Sequence, residues 1–263
     1  MNPSGRGDPG GYGSGVSRVY IHEVVEVDGT RRAHYQHHMT ANWVPEASSE
    51  RRQRCVGVFT LVGSTGDWPR VVNIWEYDSW DDLAHNFAHE LESPGHRDPV
   101  LERWWGEAAA FRRGGTDRVL IAAGQNPGVE HWEAAGGTGA VAYVHEVIEV
   151  VPGTAPGLAD AIGATAAGSA ADDGGQPHDD LTLVGLWRTA MRADDQVIAL
   201  WAVPDWPTWA AFEQRCERRP ARYRGLVSLS RTLLVDAELS PLRTGRQPVA
   251  GDRRPLEEFG GFD

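Results

Sequence analysis

The octapeptide Tyr20-Ile21-His22-Glu23-Val24-Val25-Glu26-Val27 returns 123 residues later as Tyr143-Val144-His145-Glu146-Val147-Ile148-Glu149-Val150, with six of eight positions identical. A second block, Val71-Val72-Asn73-Ile74-Trp75 followed by Trp80, returns as Val197-Ile198-Ala199-Leu200-Trp201 followed by Trp206, at an offset of 126. Fainter echoes join Gly57-Val58-Phe59 to Gly185-Leu186-Trp187, and Arg118-Val119-Leu120-Ile121 to Arg231-Thr232-Leu233-Leu234. A chain that repeats strand-like blocks at one long period must build two similar units, each able to bury what the other leaves bare.

Within each unit the hydrophobic period changes in a set order. Val19 to Val27 alternates with period two and predicts a strand ending at Asp28-Gly29. Thr30 is then expected to cap a helix running to about Val44 and stopped by Pro45. Strands over about 56–62 and 70–77 flank the turn Gly63 to Asp67, and Ser79 with Asp82 marks the start of a helix over about Trp80–Leu91, continued around Leu101–Phe111. A last strand covers about Arg118–Ala122. The order β-α-β-β-α-β is the split βαβ, or ferredoxin-like, unit. The expected organisation is a disordered tail over 1–17, a first repeat over 18–123, a linker over 124–139, a second repeat over 140–238 and an extended or disordered tail over 239–263, where Phe259 and Phe262 offer apolar docking points. One such unit leaves a face of its sheet apolar and bare, so the two are expected to pack sheet to sheet as an intramolecular α/β barrel of the α+β class. The same logic allows two chains to pair again as a homodimer of pseudo-dimers.

Composition narrows the function classes. With 37 acidic against 25 basic residues the formal charge is −12, which opposes a nucleic-acid partner. All the basic residues are arginine, so no lysine serves as Schiff-base former or general base. The two cysteines, Cys55 and Cys216, fall at unrelated places in the repeats and read as reduced thiols. No apolar run approaches membrane-spanning length, and the Gly- and Ser-rich start lacks the apolar centre of an export signal, so a cytoplasmic protein is expected.

The strand and tryptophan motifs resemble those of the dimeric α/β-barrel superfamily, and most closely its NIPSNAP-like branch. His22-Glu23, Asp28-Gly29 and Ile74-Trp75-Glu76-Tyr77-Asp78 carry the resemblance in the first repeat, and His145-Glu146, Pro152-Gly153 and Leu200-Trp201 in the second. Two departures stand out. Histidine replaces the usual aromatic before Glu, and Val25 and Ile148 stand where relatives often carry arginine. The resemblance implies a mostly apolar ligand cavity between each sheet and its helices; relatives include cofactor-free monooxygenases on aromatic polyketides, lactone isomerases, haem-binding enzymes and proteins without assigned activity.

Candidate chemistry concentrates in the first repeat, which holds His22, His34, His37, His38, His85, His89 and His96 against His145 and His178 in the second. The resulting expectation is an enzyme of specialised metabolism, without metal or nucleotide, acting by acid–base chemistry on an apolar aromatic or polyketide-like molecule. Its steps would be cyclisation, isomerisation, elimination or cofactor-free oxygenation. His22, Tyr35, His38 and His89 are the proton-transfer candidates, because imidazole titrates near neutrality. Trp43, Asn73, Trp75, Asn86, Trp104 and Trp105 are the expected substrate contacts. Glu23 reads as a hydrogen-bonding residue of the barrel seam, since Glu146 repeats it where the rest of a site is missing. Two alternatives stand beside this: a binding or accessory protein using the same pocket, and a haem protein with the i, i+4 pairs His34/His38 or His85/His89 as ligands.

Overall fold

A computed structural model describes residues 17–92, 98–124, 126–167, 178, 180–218, 223–255 and 258. Residues 1–16 of the expected tail over 1–17, and His96, Phe259 and Phe262, lie outside them. Eight strands form one closed antiparallel barrel: β1 (Val19–Val27), β2 (Arg54–Leu61), β3 (Arg70–Tyr77), β4 (Arg112–Ala122), β5 (Ala142–Val150), β6 (Thr182–Thr189), β7 (Gln196–Val203) and β8 (Leu226–Asp236), in the order β1-β3-β2-β8-β5-β7-β6-β4. Each half of the chain contributes four neighbouring strands in the same order. The halves join through short ladders, Phe59 to Leu61 against Asp236 to Leu234 and Leu120 to Ala122 against Thr189 to Trp187. Among the described residues no helix is long and apolar enough to cross a membrane.

Strand parity sorts the side chains. Ile21 pairs with Trp75 and Glu23 with Asn73, so these face the helices together with Val19, Val25, Val71 and Tyr77. The alternate set, Tyr20, His22, Val72 and Ile74, points into the barrel, where it meets Phe59, Leu120, Tyr143, Trp187, Ile198, Leu200 and Leu234. The repeated Gly-x-aromatic blocks find their reason here. Both glycines sit at bulges, and a Cβ on Gly57 would lie 2.3 Å from the Phe59 ring, one on Gly185 2.1 Å from the Trp187 ring.

Helices cover the outer face of each half: α1 (Arg32–His37), α2 (Val44–Glu50), α3 (Trp80–Leu91) and α4 (Pro99–Ala108) in the first, α6 (Ala155–Ala166) and α7 (Trp206–Arg218) in the second. Several expectations need correction. Asp28, not Thr30, is the cap: its carboxylate accepts from the Thr30 backbone and starts a 3-10 turn, Gly29–Arg31, that leads into α1. Pro45 does not stop the first helix. A π-helical turn, His38–Trp43, precedes it, and Pro45 enters in the first turn of α2, where its missing N–H costs nothing. β4 starts at Arg112 rather than Arg118, because ladder pairing to β1 orders a stretch that lacks apolar alternation. The linker folds as α5 (Val129–Ala134), and the tail forms α8 (Pro241–Thr244). These two close one end of the barrel, with Val129, Trp132 and Leu242 in the interior core and the Val129 N–H donating to the buried Glu76 carboxylate at 3.2 Å. Beyond α8 the tail is tied down: Gln247 accepts from the Cys55 N–H at 3.0 Å and donates to the Cys55 carbonyl at 2.8 Å, and Arg253 and Arg254 reach the α1–α2 segment.

Candidate functional site

A cavity of about 310 Å³ lies between the first half of the sheet and its helices. β1 and β3 supply its floor, with Ile21, Glu23 and Trp75; the π-turn supplies Met39 and Trp43; α3 supplies Asn86, Phe87 and Glu90; and α4 supplies Leu101, Trp104 and Trp105. The π-turn widens the helix where Met39 and Trp43 meet the pocket, a local cost often found at ligand sites. Trp104 packs on Trp43 at 4.9 Å and edge-on to Trp105 at 5.2 Å, which makes one aromatic wall.

Glu23 is the polar centre. Its Oε2 accepts from Trp75 Nε1 at 2.8 Å and from Asn73 Nδ2 at 2.9 Å, while Oε1 receives no hydrogen bond among the described residues. Burial pushes the Glu23 carboxyl above its ordinary value, against the two donors that pull it down. The group therefore keeps one oxygen anchored and one available to a bound molecule. Asn73 also donates to the Tyr35 hydroxyl at 3.1 Å, and burial, reinforced by Glu23, raises that phenol. Tyr35 thus stands behind Glu23 in a connected chain rather than at the cavity surface.

Arg51 and Glu90 also line the pocket. The guanidinium is buried, pairs with Asp98, donates to Asn86 Oδ1 at 3.0 Å and lies 5.1 Å over the Trp43 ring. Burial raises the Glu90 carboxyl.

The remaining sequence candidates fall elsewhere. His22 points into the barrel, its Nε2 3.0 Å from His145 Nε2 with the rings stacked at 5.1 Å. Glu23 thus faces the helix-side pocket and His22 the seam, the reverse of the seam role expected for Glu. His38 is buried behind the aromatic wall, stacked on Trp104 at 5.0 Å. Asn42 Nδ2 donates to its Nδ1, which leaves the proton on Nε2 facing the Trp104 carbonyl at 3.2 Å. Burial lowers the His38 pKa, so a neutral ring holds Trp104 in place. His89 sits outside the cavity, 3.6 Å from Glu50 and 3.8 Å from Asp98. Of the expected substrate contacts, Trp43, Trp75, Asn86, Trp104 and Trp105 line the cavity and Asn73 lies one layer behind. Sequence reasoning gave Glu23 a seam role and did not single out Arg51 or Glu90 as site residues. The parity of β1 was the available signal for the first, because Glu23 shares a face with Asn73 and Trp75.

The second half keeps only part of this arrangement. Trp201 Nε1 donates to Glu146 Oε2 at 3.0 Å, but Ala199 replaces Asn73, and His178 stacks on Trp201 at 4.2 Å with its Nε2 3.2 Å from Glu146. The histidine ring occupies the space over Glu146 that the pocket leaves open over Glu23.

The haem alternative needs an axial ligand aimed into a cavity. Among the described residues the pocket lining holds no histidine, cysteine or tyrosine, and both ring nitrogens of the neighbouring His38 are engaged. The described lining of this pocket offers a haem no axial ligand.

No protein-family model and no curated protein matches the sequence. Solved structures share the fold. A putative monooxygenase from Fusobacterium nucleatum is similar at 11% identity and TM-score 0.52, over 85% of this chain and 94% of that one. An anthrone oxidase-like protein is similar at 13% identity and TM-score 0.51, over 83% and 91%. A chlorite dismutase from Candidatus Nitrospira defluvii is similar at 10% identity and TM-score 0.51, over 92% and 94%. At these identities the likeness establishes the barrel architecture and no activity.

Proposed function

We propose that the first half carries the active site of a small-molecule enzyme that moves protons on a flat, apolar aromatic substrate, and that Glu23 is its acid–base group. The observation that carries this is the half-anchored carboxyl: Oε2 held by Trp75 and Asn73, Oε1 without a hydrogen bond among the described residues, on a side chain that lines a cavity walled by Trp43, Trp104 and Trp105. A carboxyl raised by burial exchanges protons closer to neutral pH than an exposed one, as general catalysis requires. The tryptophans select a planar ring by stacking. Arg51 and Asn86 offer donors to a hydroxyl or carbonyl on its rim. Tyr35 and His38 act as positioning residues, one through Asn73 and the other through Trp104. The step belongs with cyclisation, isomerisation, elimination or cofactor-free oxygenation of a phenolic substrate: Glu23 removes a ring or hydroxyl proton, and in the oxygenation dissolved dioxygen is the oxidant that takes the electrons of the resulting carbanion. The oxygenase reading draws on the similarity to the solved structures of a putative monooxygenase and an anthrone oxidase-like protein. Along with this goes a duplication of one ancestral unit, in which the second half, with His178 over Glu146, serves as scaffold.

The test is turnover and binding of a panel of hydroxylated polycyclic aromatics. Glu23→Gln is expected to lower kcat by roughly 10²- to 10⁴-fold while ring binding, read by tryptophan quenching, persists; Glu146→Gln is expected to leave kcat unchanged. Binding without turnover by the unaltered protein would replace the enzyme with a carrier, and full activity in Glu23→Gln would remove Glu23 from the chemistry.

A further inference from the structure

At the end of the barrel away from α5 and α8 the interior is not filled. A second cavity, of about 680 Å³, opens there between apolar walls that include Val24, Leu61, Val72 and Val147, and it reaches inward to His145, Thr232 and Arg118. Its two arginines are in different states. Arg70 is neutralised, 3.2 Å from Glu26 and 2.8 Å from Asp67. Arg118 has no carboxylate at ion-pairing distance among the described residues, and its Nη1 is buried without a hydrogen-bond partner.

Other enclosed guanidiniums of this protein are answered: Arg51 by Asp98 and Asn86, Arg54 by Glu76, Asp78 and Glu130. A buried charged donor without an acceptor is costly, and a guanidinium fork suits a carboxylate above other groups. The rest of the lining limits the ligand further. Val24, Val72 and Val147 ask for an apolar body, while Glu26 and Asp67 at the rim disfavour a dianion such as phosphate. Thr232 and Ser230 offer hydroxyls beside the charge. His145 turns its Nδ1 side to the cavity, 3.4 Å from the Thr232 hydroxyl, while its Nε2 is engaged by His22. The Glu23 pocket is less suited to an anion, because Glu23, Glu90 and Asp117 line it and Arg51 there is already paired with Asp98.

We infer that the open end of the barrel is a second ligand site, separate from the Glu23 pocket, and that it takes a small organic monocarboxylate with its head on Arg118 and its apolar body against Val24, Val72 and Val147. Arg118 itself lines both cavities, so the test includes variants that touch one cavity only: Val147 belongs to the barrel cavity alone and Trp105 to the Glu23 pocket alone.

The experiment is calorimetric titration of the full chain at pH 7.5 with benzoate, and with benzamide as its neutral isostere. One benzoate per chain is expected, with benzamide at least about tenfold weaker, as loss of a charge-assisted bond implies. Arg118→Gln should weaken benzoate by at least about tenfold. Val147→Phe, which fills the barrel cavity, should abolish binding, and Trp105→Ala, which alters only the other pocket, should leave it unchanged. In the unaltered protein benzoate should move the His145 imidazole resonances, a readout that needs no variant. The inference is overturned if benzoate does not bind, if Arg118→Gln or Val147→Phe binds it as the parent does, or if Trp105→Ala is the variant that loses it. Failure here leaves the Glu23 assignment standing, since that rests on turnover and on the other cavity.

Discussion

The His22–His145 contact allows a quantitative test of what the repeated histidines do. They meet Nε2 to Nε2 at 3.0 Å in the barrel seam, and both are buried. Burial, with Arg118 adding to it, lowers His145 to about 4, and burial together with His145 and Arg118 lowers His22 well below its ordinary value. Both rings are therefore neutral at physiological pH, one donating to the other. Replacing only His145 by Leu strands a buried nitrogen of His22, at a cost of about 1–3 kcal/mol; the double variant His22→Leu with His145→Leu removes both partners and should recover most of that loss at pH 7.5. Acidification separates the two cases. An unfolded histidine takes its proton near 6.5 whereas folded His145 waits until about 4, so between those values protons favour the unfolded chain. At about 1.4 kcal/mol per pH unit, His145 alone withdraws about 3 kcal/mol of stability across that window, from 6.5 down to about 4. His22 acts with the same sign. Carboxylates common to both proteins cancel in the comparison. Guanidinium unfolding followed by tryptophan fluorescence at several pH values from 7.5 to 4 measures the difference, and the stability of the double variant relative to the parent should rise by at least about 3 kcal/mol as pH falls. Stability curves that run parallel in pH would refute the neutral, buried pair.

Three further outcomes follow from named contacts. Trp75→Phe removes the indole donor from Glu23 Oε2, so the Glu23 carboxyl should titrate about one to two pH units higher, read by carbon-13 NMR of the side chain; an unmoved titration would mean that the indole does not hold the carboxylate. Because Glu23 is raised in the folded state, the stability it contributes is greatest below its ordinary 4.5 and is lost as pH rises through the folded value, so the Trp75→Phe penalty should be larger at pH 8 than at pH 5. His178→Ala removes the ring stacked on Trp201, costs about 0.5–1.5 kcal/mol and opens Trp201 to acrylamide quenching, with unchanged quenching as the adverse result. Gln247→Ala cuts both bonds to the Cys55 backbone and should lower the unfolding midpoint by an amount worth about 2–4 kcal/mol at constant m, whereas a tail that merely rests on the surface would show no change.

Much of the barrel was legible in the repeat. The alternation of Val19 to Val27, the Gly-x-aromatic bulges and the Trp75 and Trp201 positions are local or pairwise constraints, and a period of two or a glycine before a ring reads the same in the sequence as in the sheet. The aromatic lining was legible in the same way, since Trp43, Trp104 and Trp105 occur in one half only. Elements that depend on a partner far along the chain were not legible. Pro45 stops a regular helix but not one that first opens into a π-turn. A Pro-, Arg- and Gly-rich tail looks unstructured until Gln247 meets the Cys55 backbone, 192 residues away.

The sequence by itself determined that two similar strand-rich units exist and which residue types each can offer, because periodicity and side-chain chemistry are properties of the chain. Only the tertiary structure decided which of two adjacent strand residues meets the pocket. His22 and Glu23 differ by one position and point to opposite faces, and closing the barrel put the histidine against His145 and the carboxyl beneath the tryptophans. The asymmetry of the halves has the same origin. Glu23 and Glu146 are equivalent in sequence, and they are set apart by what packs over them: open space in one half, and the His178 ring in the other.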